Sequence, residues 1–340
     1  MTTIKNAAAS IQSVPSAKQM LRSNIAVASI VLVAGAQAHL GTVGATPNEI
    51  GYALTKVVAT EAIGRPGGSL SPRHQNMIRL AQAVTAPNDP KVAPFRWAGV
   101  LETPITAEQQ QNLRKAPYCT AQFITDNVLL TAGHCLNDLD KNPTGFWYDL
   151  TKASFILQYS DGDGLASFRV KCGRTSPLWK YPPNYKSMSE SDREKAFWTS
   201  AEHDFAMVLV DGTSPTGHMS YALDWKGKYT SAALIGYPDD LLSGNYIQQT
   251  EGRVLFANVL EPDFANYPNL VAHLGTSNQF THGASGGAWV FTDPTTHAST
   301  LIAVTSAFPY GRTLAGANFA AYLTAAEFNP LLQSVSNGCK

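Results

Sequence analysis

The chain has 340 residues, of which 44% are hydrophobic and 15% charged, with 25 basic side chains balanced by 25 acidic ones. That length supports more than one packed core, and the composition is that of a folded chain, not a disordered one. A formal net charge of +0 excludes the basic field on which sequence-independent nucleic-acid binding depends.

The first predicted element is a leader. Residues 25–36 (IAVASIVLVAGA) form an uncharged, mostly apolar run that follows Arg22 and ends at the small-x-small sequence Ala36-Gln37-Ala38. Crossing a bilayer takes about 18 or more apolar residues, so the run is short for a span. It reads as a signal peptide over 1–38, cut after Ala38, which predicts a secreted protein with no stable membrane insertion. A short buried helix or an uncleaved anchor is the alternative. A start at Met20 gives the compact signal MLRSNIAVASIVLVAGAQA, with Arg22 as its charged end.

Residues 39–94 contain no cysteine and few aromatics. Ser71-Pro72 reads as a helix N-cap followed by proline at the first helical position, after which Met77, Leu80, Ala81 and Val84 share one face. The segment closes on APNDPKVAP (86–94), a linker composition. A propeptide removed from a zymogen and a retained N-terminal extension fit it equally.

From Phe95 onward the signals are short strands rich in β-branched and aromatic residues: 95–102, 119–132, 154–160, 167–172, 205–210, 231–237, 252–260, 287–292 and 299–308. Gly, Pro, Asp and Asn clusters separate them, and Ser-Asp-Gly-Asp-Gly (160–164) reads as a hairpin turn. Helical periodicity is scarce until Thr324-Ala-Ala-Glu327, a capping box ahead of Phe328, Leu331, Leu332 and Val335, with Pro330 expected to distort or shorten the helix. The fold class is all-β with a C-terminal helix, arranged as two barrels or a pair of sandwiches.

Three stretches carry chemistry. LLTAGHC (129–135) ends a strand with His134 beside Cys135. HDFAMVLV (203–210) sets Asp204 at the opening of a buried-looking strand. THGASGGAW (281–289) sets Ser285 in a glycine-rich turn able to aim amide N–H groups at one point, as an oxyanion requires. A serine hydroxyl needs an adjacent base, and an anchored imidazole held by a carboxylate supplies one. Asp161 and Asp163 also lie between His134 and Ser285, but inside the hairpin sequence. His203 and His282 flank these positions and are expected to be structural. No spacing of the histidines and the four cysteines marks a metal site, and there is no CxxC pair.

Taken together, Cys119, TAGHC (131–135), DFAMV (204–208) and GASGG (283–287), in that order, resemble the trypsin/chymotrypsin family of serine endopeptidases, and IGYP (235–238) is similar to its secreted bacterial branch, which includes glutamyl endopeptidases. The resemblance covers roughly 95–335. It implies two six-stranded antiparallel β-barrels, over 95–225 and 226–340, with the site in the cleft between them. Residue by residue it implies His134 as general base and acid, Asp204 as its orienter, Ser285 as nucleophile, and the amides of Gly283 and Ser285 as the oxyanion hole. It also implies a Cys119–Cys135 disulfide, which leaves Cys172 and Cys339 bonded to each other or free. No cofactor and no metal are implied, and the partners are protein or peptide substrates. Where the family's zymogen switch has an aspartate before the serine, this chain has Ala284, so activation through that salt bridge is not expected.

The pocket is less determined. By position its floor falls near Gln279, which is not acidic, against an Arg/Lys preference. Thr305 occupies the position where a glutamate preference would want histidine. Ser306 to Phe308 are expected to pair with substrate as an edge strand, and Phe308 to narrow the pocket toward small or medium apolar side chains. A serine endopeptidase is the function these residues favour. A secreted trypsin-like fold used for binding and an esterase-preferring hydrolase are the rivals.

Overall fold

The structure, a computed structural model, describes residues 89–103, 118–139, 146–239, 244–260, 264–274, 280, 282–307 and 317–340. The signal sequence, the helix expected near Met77, Gln279 and Phe308 lie outside the described residues.

Six antiparallel strands close the first barrel. Along the chain come β1 (Ala98–Glu102), β2 (Tyr118–Phe123) and β3 (Val128–Thr131); then a small ribbon of β4 (Asn137–Asp138) and β5 (Phe146–Trp147); then β6 (Ser154–Leu157), β7 (Ala166–Thr175) and β8 (Ala206–Val210). The barrel closes in the order β1-β2-β3-β8-β7-β6. Phe123 meets Phe155 and Phe168 edge-on inside it, at 5.4 and 5.3 Å between ring centroids. β3 and β8 are buried along their whole length. Leu129, Ala206 and Val208 pack with this interior, whereas Val128, Leu130, Met207 and Leu209 pack with the cluster that includes the C-terminal helix. That two-sided burial explains why these strands read as unbroken apolar runs. The expected hairpin forms: Ser160 and Asp163 exchange backbone hydrogen bonds of 2.8 and 3.0 Å around Asp161 and Gly162, both with positive φ.

The second half adds β9 (Ser220–Tyr221), β10 (Ser231–Gly236), β11 (Gln248–Phe256), β12 (Leu270–Leu274), β13 (Ala288–Thr292), β14 (Ser299–Ala307) and β15 (Ala317–Tyr322). Strands β13-β10-β11-β12-β15-β14 close through a β13–β14 pairing into the second six-stranded antiparallel barrel, and β9 lies parallel on β14. Three of these strands have no counterpart among the expected ones, the two-residue β9 among them. β12 (LVAHL) is five residues long, and β15 (ANFAAY) is half alanine, a weak strand former. Pairing on both sides and complete burial of β15 outweigh that preference.

Helices also appear where helical periodicity is weak. α1 (Glu190–Ala201) stands between β7 and β8, N-capped by Ser189, whose Oγ accepts the Asp192 N–H at 3.2 Å. Its Trp198 is wedged edge-on against Phe264 and Phe319, 5.1 Å from each, so an otherwise polar helix is fixed by one large side chain. The strand expected over 252–260 stops at Phe256 and turns into α2 (Ala257–Leu260). α3 (Ala325–Ser336) continues past Pro330, so the helix is not shortened there: proline removes one backbone hydrogen bond, and burial of Phe328, Leu331 and Val335 retains the helix. The capping box is not formed as read, because Thr324 makes no side-chain cap bond and the Glu327 carboxylate is used elsewhere.

Two disulfides are present, Cys119–Cys135 and Cys172–Cys339. The second ties the residues after α3 to β7 of the first barrel and closes a sequence separation of 167. Arg174 reinforces it by donating to the Cys339 carbonyl from Nε at 3.0 Å and from its terminal nitrogen at 2.6 Å. A Cys172→Ser/Cys339→Ser double variant is expected to lose about 2–5 kcal/mol of stability, read by denaturant unfolding. Among the described residues no helix is long and apolar enough to cross a membrane.

Candidate active site

His134 follows β3 on a single 3-10 turn, Gly133–Cys135, and Cys135 fastens that turn to Cys119 on β2. A ring nitrogen of His134 and the two Sγ atoms lie within 4.8 Å of one another, but the sulfurs are bonded to each other and offer no thiolate to a metal. Asp204 stands two residues ahead of β8 and is 1% exposed. β3 pairs with β8 from Thr131↔Ala206, so the loop leaving one strand meets the loop entering the other. There Asp204 Oδ1 accepts the backbone N–H of His134 at 2.8 Å, and Oδ2 lies 2.7 Å from His134 Nδ1. Gly133 is required at this approach, since a Cβ would come within 2.9 Å of Asp204 Oδ1 and 3.0 Å of the Trp179 ring.

Oδ2 has a second donor that sequence reasoning missed. Ser306 Oγ donates to it at 2.6 Å. Ser306 is expected at the substrate edge through its backbone, and its hydroxyl faces Asp204. β14 shifts register between Thr305 and Ala307, and this bulge re-aims the intervening residue. Asp204 therefore has three hydrogen-bond partners from two barrels, which fix its plane.

The Ser285 turn lies across the junction of the barrels. Thr120 of β2 donates its N–H to the Ser285 carbonyl at 2.8 Å and its Oγ1 to the Gly283 carbonyl at 2.7 Å. On the other side, Gly286 N–H donates to Thr305 O at 2.8 Å and Thr305 N–H to Gly287 O at 2.9 Å. Gly283 and Gly286 have φ of +83° and +80°. A Cβ on Gly286 would sit 2.2 Å from Thr131 Oγ1 and 2.3 Å from Thr120 O, so the serine turn rests directly on the strands that lead into His134. Ala284 is fully buried in the second barrel's core.

Among the pocket residues, Thr305 is buried and its Oγ1 accepts the Trp289 Nε1–H at 3.0 Å. Gln279 and Phe308 are outside the described residues. Asp161 is hydrogen-bonded by Asn245 at 3.2 Å in the hairpin, and Asp163 is bridged to Ser160 there.

No protein-family model matches the chain, and a search of curated proteins finds no relative. Among solved structures the chain is similar to the thermostable serine protease AL20 from an extremophilic microorganism, at 18% identity and a TM-score of 0.50, over 71% of this chain and 98% of that one. It also matches the protease Anisep from Arthrobacter nicotinovorans (17% identity, TM-score 0.49, 72% and 95%) and a Glu endopeptidase (18%, 0.48, 75% and 95%). At such identities the likeness is one of fold. The two closed barrels, with the likeness to AL20, give the architecture as trypsin/chymotrypsin-like.

Proposed function

We propose that the chain is a secreted serine endopeptidase acting through Ser285, His134 and Asp204. The observation that carries this reading is the 2.7 Å contact of His134 Nδ1 with a buried carboxylate that itself has two further donors. A carboxylate bound in this way fixes the Nδ1–H tautomer, in which Nε2 carries the lone pair that acts as base. The packing of the Ser285 turn on Thr120 and Thr131 supports the third role.

In this mechanism Ser285 Oγ attacks the scissile carbonyl carbon while His134 Nε2 takes the hydroxyl proton. The oxyanion is met by backbone N–H groups of Gly283 and Ser285. The C–N bond breaks as His134 returns its proton to the leaving amine, and an acyl ester remains on Ser285. Water, deprotonated by His134, then adds to the ester and releases the acid and the free serine. Two disulfides support an oxidising destination.

The test is labelling by a fluorophosphonate beside a Ser285→Ala control. Labelling of the folded protein that disappears in the control is the expected result. Absence of labelling in a chain beginning near Phe95, free of the preceding segment, overturns the reading in favour of a binding protein. Peptide and ester substrates compared on the labelled enzyme then decide between peptidase and esterase.

A further inference from the structure

Asp204 is flanked by two residues that grip the same turn of α3. His203 Nδ1 lies 3.0 Å from both Oε1 and Oε2 of Glu327, and the pair is largely buried, at 13% and 14% side-chain exposure. On the other flank, the Phe205 ring packs against Phe328 at 6.5 Å, nearly parallel. Ser176 closes the arrangement. Its Oγ donates to Glu327 Oε2 at 2.8 Å and its N–H to the Phe205 carbonyl at 2.9 Å. Consecutive residues of α3, 327 and 328, thus hold residues 203 and 205, and Asp204 lies between them.

We infer that Glu327 and His203 are positioning residues for Asp204, which makes the C-terminal helix part of the catalytic framework. This rests on the reading of Asp204 as the orienter of His134. The contact is a largely buried hydrogen-bonded pair. Burial alone would raise the Glu327 carboxyl, but hydrogen bonds from His203 and Ser176 outweigh it and hold the group below its usual range. The other titratable group facing the pair is Glu202. Burial raises its carboxyl, against the opposing Asn269 N–H, whose nitrogen lies 2.5 Å from Oε1, and the attraction of His203. The Glu327 contribution is present above the unfolded carboxylate pKa and is lost as pH falls through the lower folded one.

The consequence for catalysis is specific. Removing Glu327 frees His203 and loosens the peptide carrying Asp204, and a misplaced Asp204 stabilises the His134 imidazolium less. Glu327→Ala is expected to lower kcat about tenfold with KM within twofold, a change of about 1.4 kcal/mol in the barrier. The acid limb of kcat/KM against pH is expected to move to lower pH, because the His134 proton is held less tightly. His203→Ala should give the same two changes, and the double variant no more than either single one. Glu327→Gln keeps an acceptor for the His203 ring and should recover most of kcat, and His203→Ala covers the case in which Glu327→Ala fails to fold. Activities are normalised to fluorophosphonate-labelled sites. A labelled parent whose Glu327→Ala variant, or His203→Ala variant where the former does not fold, keeps its kcat and its acid limb overturns the inference. So does an unchanged acid limb with kcat reduced, which marks a purely structural contact. An unlabelled parent instead removes the reading on which it rests.

Discussion

Asp204→Asn is expected to lower kcat by roughly 10⁴-fold while leaving the fold intact. The acceptor count explains why. Asp204 receives three donors: the His134 backbone N–H on Oδ1, and His134 Nδ1 with the Ser306 hydroxyl on Oδ2. An asparagine offers one oxygen and one NH2 group. With its oxygen kept on the backbone N–H, its NH2 faces Nδ1 and Ser306 Oγ. The serine hydroxyl can rotate to accept. The imidazole can accept only by moving its proton to Nε2, where it can no longer take one from Ser285. The defect is a wrong tautomer, so thermal unfolding should change little while kcat collapses. Ser306→Ala removes one donor of three and is expected to cost about tenfold. Near-parental kcat in Asp204→Asn would remove Asp204 from the mechanism.

Gly286→Ala is expected to slow Ser285 labelling by about 100-fold or more, the cost of an ångström-scale displacement of a reacting group. Two effects coincide at this residue. Its φ of +80° is strained for alanine. The added carbon also meets Thr131 Oγ1, Thr120 O and Ala132 N at 2.2, 2.3 and 2.8 Å, two of them backbone atoms that cannot rotate aside. The turn must lift away from the strands that carry His134. Gly162→Ala separates strain from contact, since its φ is +98° and a Cβ there meets nothing within 4 Å. That variant should lose about 1 kcal/mol of stability at the hairpin and keep its labelling rate. Equal labelling in both variants would show that the contact with Thr120 and Thr131 is irrelevant to Ser285.

The candidate site was legible because its chemistry is local in sequence. A histidine at the end of an apolar strand, an aspartate ahead of another and a serine among glycines each carry their reason within a few residues. The barrels were legible where β-branched residues cluster, as in β3, β8 and β14. What could not be read depends on pairing across the chain. β15 is a strand because β12 and β14 supply its partners, despite three alanines. α1 had one signal, Ser189 three residues before Asp192, but no apolar stripe; only Trp198 buries a large surface. The Ser306 hydroxyl turned to Asp204 because of a bulge, and the sequence carries no mark of it. Glu327 looked like a capping residue, and its partners, Ser176 and His203, are more than 120 residues away.

The division into two barrels is therefore not a division into exchangeable parts. α3 follows the last strand of the second barrel, yet it packs on β8, holds the loop that carries Asp204 and leads to the disulfide on β7. A chimera that takes its second barrel and C-terminal helix from another protein of this architecture would bring a foreign helix to Phe205, leave His203 without Glu327 and leave Cys172 without Cys339. Recombination that respects the first barrel has to carry α3 with it, so the heritable unit around the acid is discontinuous in sequence.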